Sequence, residues 1–257
     1  MSSAALTYAG YLQLDKILTA QTPKSDGPEH DEMLFIIIHQ VYELWFKQLL
    51  HELDYLSRLL RANDQPRALH TLRRMLTILK TVVAQIDVLE TMTPLEFNSF
   101  RGYLETASGF QSIQFRELEF ALGHKRLSIL EHFPTEMAET QRLRTRYEQP
   151  TLWDAFLTFL SINGCAIPAE QLERDVTQPI RPSPETQAAL IKVYQQEPWL
   201  VRVCERLIDL DEGIQEWRYR HVKMVQRTIG TKKGTGGSAG VKYLQTTLNP
   251  AFPDLWA

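Results

Sequence analysis

Between Glu29 and about Arg61 the chain carries no glycine and no proline, and its apolar residues return every three or four positions. That pattern predicts one helix about 50 Å long. Leu34, Ile38, Val41, Trp45 and Leu49 fall on one face, and Phe35, His39, Tyr42, Phe46 and Leu50 on another. A helix apolar on two faces needs neighbours on both, so it belongs at the centre of a packed structure. Its most apolar part, Met33 to Leu50, is interrupted by His39, Gln40, Glu43, Lys47 and Gln48, which marks a buried helix and not a membrane span.

The remaining chain reads as more helix. Leu6 to Leu18 forms a first short helix, closed by the turn cluster Thr22 to Pro28. Asn63-Asp64-Gln65-Pro66 breaks the long helix, with Pro66 suited to the first turn of a third helix that runs to about Thr91. Thr93-Pro94 ends that segment, and Arg101 to Gly123 holds a loop around Ser108-Gly109 and a helix through Phe115 to Leu122. Prolines at 134, 150, 168, 179, 182 and 184 predict short helices and loops from His124 to about Pro184. A second long helix spans about Glu197 to Ile229, followed by a glycine-rich segment and a short tail. Strand-like alternation is nearly absent, and no repeat or linker divides residues 1–257. The expectation is a single all-α domain with long helices around one core.

Charge narrows the partners. With 28 basic and 31 acidic residues and no sustained basic run, nucleic acid is not an expected partner. The N-terminus shows no basic region followed by an apolar one, and Cys165 and Cys204 cannot build a disulfide framework or a four-thiolate metal site. The expected setting is cytoplasmic, with no membrane partner.

Two histidines stand on apolar stripes. Leu200, Val203, Leu207, Leu210, Ile214, Trp217, His221, Met224 and Thr228 define one helix face, with His221 inside it; His39 lies similarly within the second face of the long helix. Each reads either as a core histidine bonded to a carbonyl or as a metal or haem ligand. The other histidines lie near polar residues. His-Glu-x-x-His, paired Cys-x-x-Cys and Glu-x-x-His repeats are absent. Zinc needs three or four protein ligands, whereas haem needs one, so haem is the metal reading that fits. Gly230 to Gly240 reads as a flexible linker or as a backbone cradle for an anion, with Thr235 and Ser238 adding hydroxyls. Arg101, between Phe97, Phe100 and Tyr103, reads as a snorkelling surface arginine or as a fork for a carboxylate.

In combination, separated blocks resemble the tryptophan 2,3-dioxygenase family: Thr7-Tyr8-Ala9-Gly10-Tyr11-Leu12, His30-Asp31-Glu32, Leu34 to Gln40, Glu43 to Lys47, Phe100-Arg101, Ser108 to Ser112, Gln114-Phe115-Arg116, Trp217-Arg218, Arg220-His221, Met224-Val225, Arg227, Ile229-Gly230 and Gly234 to Ser238. The resemblance implies an all-helical enzyme, a homotetramer, that uses ferrous haem b and O2 to open the indole ring of L-tryptophan to N-formylkynurenine. It assigns His221 as the iron ligand and His39 as the catalytic acceptor of the indole N–H. Arg101 would pair with the substrate carboxylate and Thr235 would hold the ammonium. Phe35, Phe97 and Leu104 would line the indole pocket, with Ser108, Gly109 and Trp217 around the haem. Tyr8, Tyr11 and Leu12 would complete the pocket of a neighbouring subunit, with the 6–18 helix docked there. The abbreviated Pro150–Pro184 middle and a short N-terminus depart from many relatives. Other readings are a monooxygenase on the same scaffold that makes a 2-oxindole from tryptophan or a substituted tryptophan, a non-catalytic haem sensor, and a helical interaction domain with two core histidines.

Overall fold

The structure is a computed structural model that describes residues 5–27, 29–236 and 239–257. Pro28 of the turn cluster, and Gly237 and Ser238 of the glycine-rich segment, lie outside the described residues. The chain opens with α1 (Tyr8–Leu12) and α2 (Leu14–Leu18), then α3 (His30–Arg61), α4 (Gln65–Leu89) and α5 (Pro94–Arg101). Two 3-10 turns, Gly102–Leu104 and Gly109–Gln111, lead to α6 (Ile113–Leu122), α7 (Leu127–Leu130), α8 (Ala138–Glu148), α9 (Leu152–Ile162) and α10 (Ala169–Leu172). The last elements are α11 (Pro184–Gln196), α12 (Pro198–Ile229), α13 (Val241–Gln245) and α14 (Pro253–Trp256). The described residues contain no strand, and none of their helices is long and apolar enough to cross a membrane.

Three long helices make the frame: α4 lies between α3 and α12, and α3 also packs on α5, α6 and α9. The expected stripes are buried. Ile38, Phe46, Leu49 and Leu53 of α3 meet Leu72, Met75, Leu79 and Ile86 of α4 and Leu200, Val203, Leu207 and Ile214 of α12 in one continuous core. A smaller cluster of Phe120, Ile129, Leu130, Leu143 and Tyr147 fills the space between α6, α7 and α8. Gly123 closes α6 with φ near +107°, a conformation that a side chain resists, and a Cβ there would collide with Ile180.

Two expectations change. The 6–18 segment is two short helices, because Gln13 takes a left-handed conformation (φ 51°) that caps α1 and starts α2. Neither helix buries a residue, so no packing holds them in one line. Thr93-Pro94 starts a helix as well as ending a segment. The Thr93 side chain accepts from the Glu96 N–H while the Glu96 carboxylate accepts from the Thr93 N–H at 2.6 Å, with Pro94 in the first turn. This capping box opens α5, the helix that carries Phe97, Phe100 and Arg101.

Buried charges fasten the ends. The Asp211 carboxylate on α12 accepts from the N–H groups of Ala251 and Phe252 and from Trp256 Nε1, all within 3.0 Å. Phe252 then stacks on Trp153 at 5.8 Å. Buried Lys125 donates from Nζ to the carbonyls of Arg146, Tyr147 and Gln149, closing the C-terminus of α8.

Replacing Asp211 with Ala orphans the buried N–H groups of Ala251 and Phe252 and removes the partner of the half-exposed Trp256. The expected cost is about 2–4 kcal/mol by urea denaturation, with faster amide exchange at Ala251 and Phe252. Unchanged stability would show that the tail is held by apolar packing alone.

Candidate functional site

The two stripe histidines come together across one cavity. It holds about 260 Å³ between α3, α5, α12, the Ser108 turn and the segment from Gly234 to α13, and its walls are mostly apolar and aromatic. Phe35 and His39 enter from α3, Phe97 and Arg101 from α5, Ser108 and Gly109 from the turn, Trp217 and His221 from α12, and Thr235 from the glycine-rich segment. Leu104 packs against the main core and does not line the cavity, because the chain leaves α5 in the tight Gly102–Leu104 turn. Tyr8, Tyr11 and Leu12 are on the exposed N-terminal helices, outside this chain's own cavity.

The two imidazoles differ in chemistry. His39 Nδ1 lies 2.7 Å from the Phe35 carbonyl one turn earlier. A carbonyl only accepts, so Nδ1 carries the proton and Nε2 keeps its lone pair. Burial holds the His39 pKa below the ordinary histidine value, against the opposing pull of the Phe35 carbonyl and Glu43, so the ring remains a neutral acceptor. His221 makes no hydrogen bond with any described residue, and burial, reinforced by the positive charges of Arg218 and Arg116, pushes its pKa down to about 4. The Trp217 ring lies parallel to it, with centroids 5.3 Å apart and planes within 7°. The carbonyl-bonded core reading thus describes one nitrogen of His39 and neither nitrogen of His221.

Arg101 donates from Nη2 to the Lys233 carbonyl at 2.6 Å, and Thr235 Oγ1 donates to the Ala107 carbonyl at 2.7 Å. These bonds tie the glycine-rich segment to α5 and the Ser108 turn. They leave the other Arg101 N–H groups and the Thr235 lone pairs without partners among the described residues. Gly236 lies so close to Ser108 that a Cβ there would stand 2.8 Å from the Ser108 Cβ, so only glycine permits this approach. Residues 233–236 are thus fitted against α5 and the Ser108 turn.

At the cavity wall, beside Phe115, lies a charged cluster that sequence patterning does not reveal. Glu119 on α6 accepts from Arg116, from Arg218 of α12 at 2.9 Å and from Arg126 at 3.1 Å. Burial alone would raise its carboxyl, but the three guanidinium groups outweigh that cost and hold it ionised. Arg116 also donates to the Phe110 carbonyl, and Arg218 to the Thr247 carbonyl. The only sign in the sequence is an Arg-x-x-Glu spacing on α6, which also describes an ordinary surface pair. His124, which in sequence only lies near polar residues, is close to this cluster; its Nε2 is buried without a partner, and burial, with Arg218 nearby, pushes its pKa down to about 4.

The donor set suits haem b. It requires one neutral nitrogen ligand, apolar walls and positive charge for two carboxylates. The cavity offers His221 with no competing bond, a lining of Phe, Trp, Met and Ile, and positive charge from Arg101 and from the excess of Arg116 and Arg218 over the one carboxylate of Glu119. Among the described residues no cluster of three His, Cys, Asp or Glu side chains is arranged to hold a bare metal ion.

Comparison with known proteins agrees with this chemistry. The family model for tryptophan 2,3-dioxygenase matches residues 1–152 and 185–257, leaving out the segment that contains most of α9 and the proline-rich loops. A protein of Herpetosiphon aurantiacus named tryptophan 2,3-dioxygenase is 66% identical over 99% of this chain and 98% of its own length. A protein of the same name from Anaeromyxobacter sp. is 55% identical over 99% of this chain and 96% of its own, and one from Arthrobacter sp. is 44% identical over 99% and 91%.

His124 makes the folded chain sensitive to acid. Its folded pKa of about 4 lies below the ordinary 6.5, so the unfolded chain binds the extra proton as pH falls through that window. Relative to His124→Gln, the wild-type chain should lose stability between pH 6.5 and about 4, at up to about 1.4 kcal/mol per pH unit. Urea midpoints measured across that range test this; parallel curves for the two proteins would contradict it.

Proposed function

Because the chain belongs to the tryptophan 2,3-dioxygenase family, we propose that it is an oxygenase that opens the indole ring of L-tryptophan with O2 to give N-formylkynurenine, with His221 as the ligand of a ferrous haem b. One observation carries the reading. An unbonded neutral imidazole and a carbonyl-oriented one share a single aromatic cavity whose rim holds an arginine with free donors. When bound, haem supplies the redox chemistry with O2.

The chain's own residues then divide the remaining work. His39 has its proton committed to the Phe35 carbonyl, so its Nε2 can accept only, and the indole N–H is the donor that fits. Burial keeps His39 neutral, so this acceptor is not lost near neutral pH. Arg101 takes the substrate carboxylate with the donors its Lys233 bond leaves free. The Thr235 hydroxyl, which donates to Ala107, offers its lone pairs to the ammonium. Phe35 and Phe97, with ring centroids 5.7 Å apart, hold the indole and exclude water. Ser108 and Gly109 stand at the cavity wall, where they would border a bound haem, and Trp217 stacks parallel to the His221 ring and would keep its plane. Selectivity follows from polar groups at both ends of the substrate. Analogues that leave a buried donor or acceptor unpaired should be rejected most strongly.

The unburied N-terminal helices belong to this reading. Tyr8 is 76% and Tyr11 70% exposed, with Leu12 beside them. In a homotetramer they complete a neighbour's pocket. The whole chain then acts as one haem-binding unit in the cytoplasm.

The deciding experiment gives haem-loaded, reduced protein L-tryptophan and O2 and reads the product mass and the near-ultraviolet band of N-formylkynurenine. A gain of two oxygen atoms is expected; a gain of one would move the protein to 2-oxindole chemistry, and haem binding without turnover would make it a sensor. His221→Ala should abolish stable haem binding, read as loss of the Soret band. Arg101→Leu should raise KM for tryptophan by about 10- to 150-fold, since a charge-assisted hydrogen bond contributes about 1.5–3 kcal/mol. Affinity unchanged in that variant would place the carboxylate elsewhere.

A further inference from the structure

The strap from Ala20 to Ser25 connects the N-terminal helices to α3, and α3 holds it with two side chains. Glu32, only 1% exposed, accepts from the Lys24 N–H at 2.6 Å, the Ser25 N–H at 3.0 Å and the Ser25 hydroxyl at 2.5 Å. Gln40, eight residues further along the helix, accepts from Gln21 Nε2 at 2.7 Å and donates to the Ala20 carbonyl at 3.1 Å. Eight residues of helix rise about 12 Å, so the strap is pinned at two points over that distance. It runs antiparallel to α3. The arm therefore leaves the body at the level of Gln40, the residue after the cavity histidine His39. Burial raises the Glu32 carboxyl, but the Ser25 hydroxyl, the two N–H groups and the Lys24 charge outweigh that and hold it ionised.

What the strap aims is apolar. Leu6, Tyr8, Tyr11, Ile17 and Leu18 are all exposed on the arm, and Met33, Ile37 and Leu44 lie exposed on α3 along the stripe that contains Gln40. Among the described residues, exposed apolar side chains thus stand both on the arm and along the α3 stripe that carries its second anchor, Gln40, as expected where a second copy of the chain packs. We propose that Glu32, assisted by Gln40, is a positioning residue. It fixes the exit direction of the N-terminal arm so that the arm's aromatic residues reach the pocket of a neighbouring copy, and it thereby sets tryptophan affinity without touching tryptophan. This rests on the reading that Tyr8, Tyr11 and Leu12 complete that pocket. Unpinned, the arm samples many directions and the complete pocket is populated for only a fraction of the time, which weakens apparent affinity by that fraction and leaves the chemistry of the complete site intact.

The test uses the full-length, haem-loaded protein. Glu32→Ala should speed amide exchange at Lys24, Ser25 and residues 8–18, and raise KM for tryptophan about fivefold or more with kcat within about twofold. Glu32→Gln, which keeps one accepting oxygen, should fall between, and Ser25→Ala should shift KM the same way by less; it supplies the answer if Glu32→Ala does not fold. Faster arm exchange with an unchanged KM overturns the proposal, as does equal loss of kcat and kcat/KM. A chain lacking residues 1–18 separates the layers. If it loses affinity while the Glu32 and Ser25 variants do not, the positioning role is wrong and the arm reading stands. If it keeps full affinity, the arm reading itself is wrong.

Discussion

The buried carboxylate of Glu119 sets the geometry on which the cavity depends. Arg218 lies one turn before His221 on α12, and its bonds to Glu119 and to the Thr247 carbonyl fix the rotation of that helix about its axis. Arg116 and Arg126 hold the same carboxylate from the α6 side and the segment after it. Apolar stripes alone allow a helix to roll by tens of degrees at small cost, since neighbouring leucines substitute for one another. A buried ion cluster does not allow this, because any roll leaves a charge unpaired in the interior. The direction of His221, and of Trp217 stacked on it, therefore follows from the Arg218–Glu119 contact one helical turn away.

The rim of the cavity is built differently, from backbone carbonyls. Lys233 and Ala107 contribute no side-chain chemistry; their carbonyls position Arg101 and Thr235. Gly236 permits the close approach that brings Thr235 to the Ser108 turn. Residues 233–236, whose composition suits a flexible linker, are held at the wall because their bonds are made to another part of the chain. The placing of Arg101 and Thr235 at the rim thus depends on two bonds between parts of the chain about 130 residues apart in sequence.

How much of this was legible in the residues varies with the kind of interaction. The stripes of α3 and α12 followed from spacing, since burial of apolar area depends on periodicity more than on partner identity. His39 and His221 were found because a polar residue in an apolar stripe is conspicuous. The start of α5 was present as a capping box at Thr93 but hidden behind the helix-ending reading of Pro94. Asp211 and Lys125 leave no sign in the sequence, and Glu119 leaves only a spacing that also fits a surface pair. A charged residue on a helix is ordinarily solvated, and only distant partners reveal that these are buried.

The sequence by itself determined that the chain is helical, that three long helices enclose an apolar interior, and that two histidines point into it. These follow from local periodicity and from the absence of glycine and proline in the long runs. Only the tertiary structure decided which nitrogen of His39 is free, that His221 has no protein partner, and that residues 233–236 are held at the cavity wall. It also placed Tyr8 and Tyr11 outside their own chain's pocket. Those outcomes depend on hydrogen bonds and ion pairs between residues far apart in the chain, and the energy of such a contact exists only once packing has brought both partners out of water.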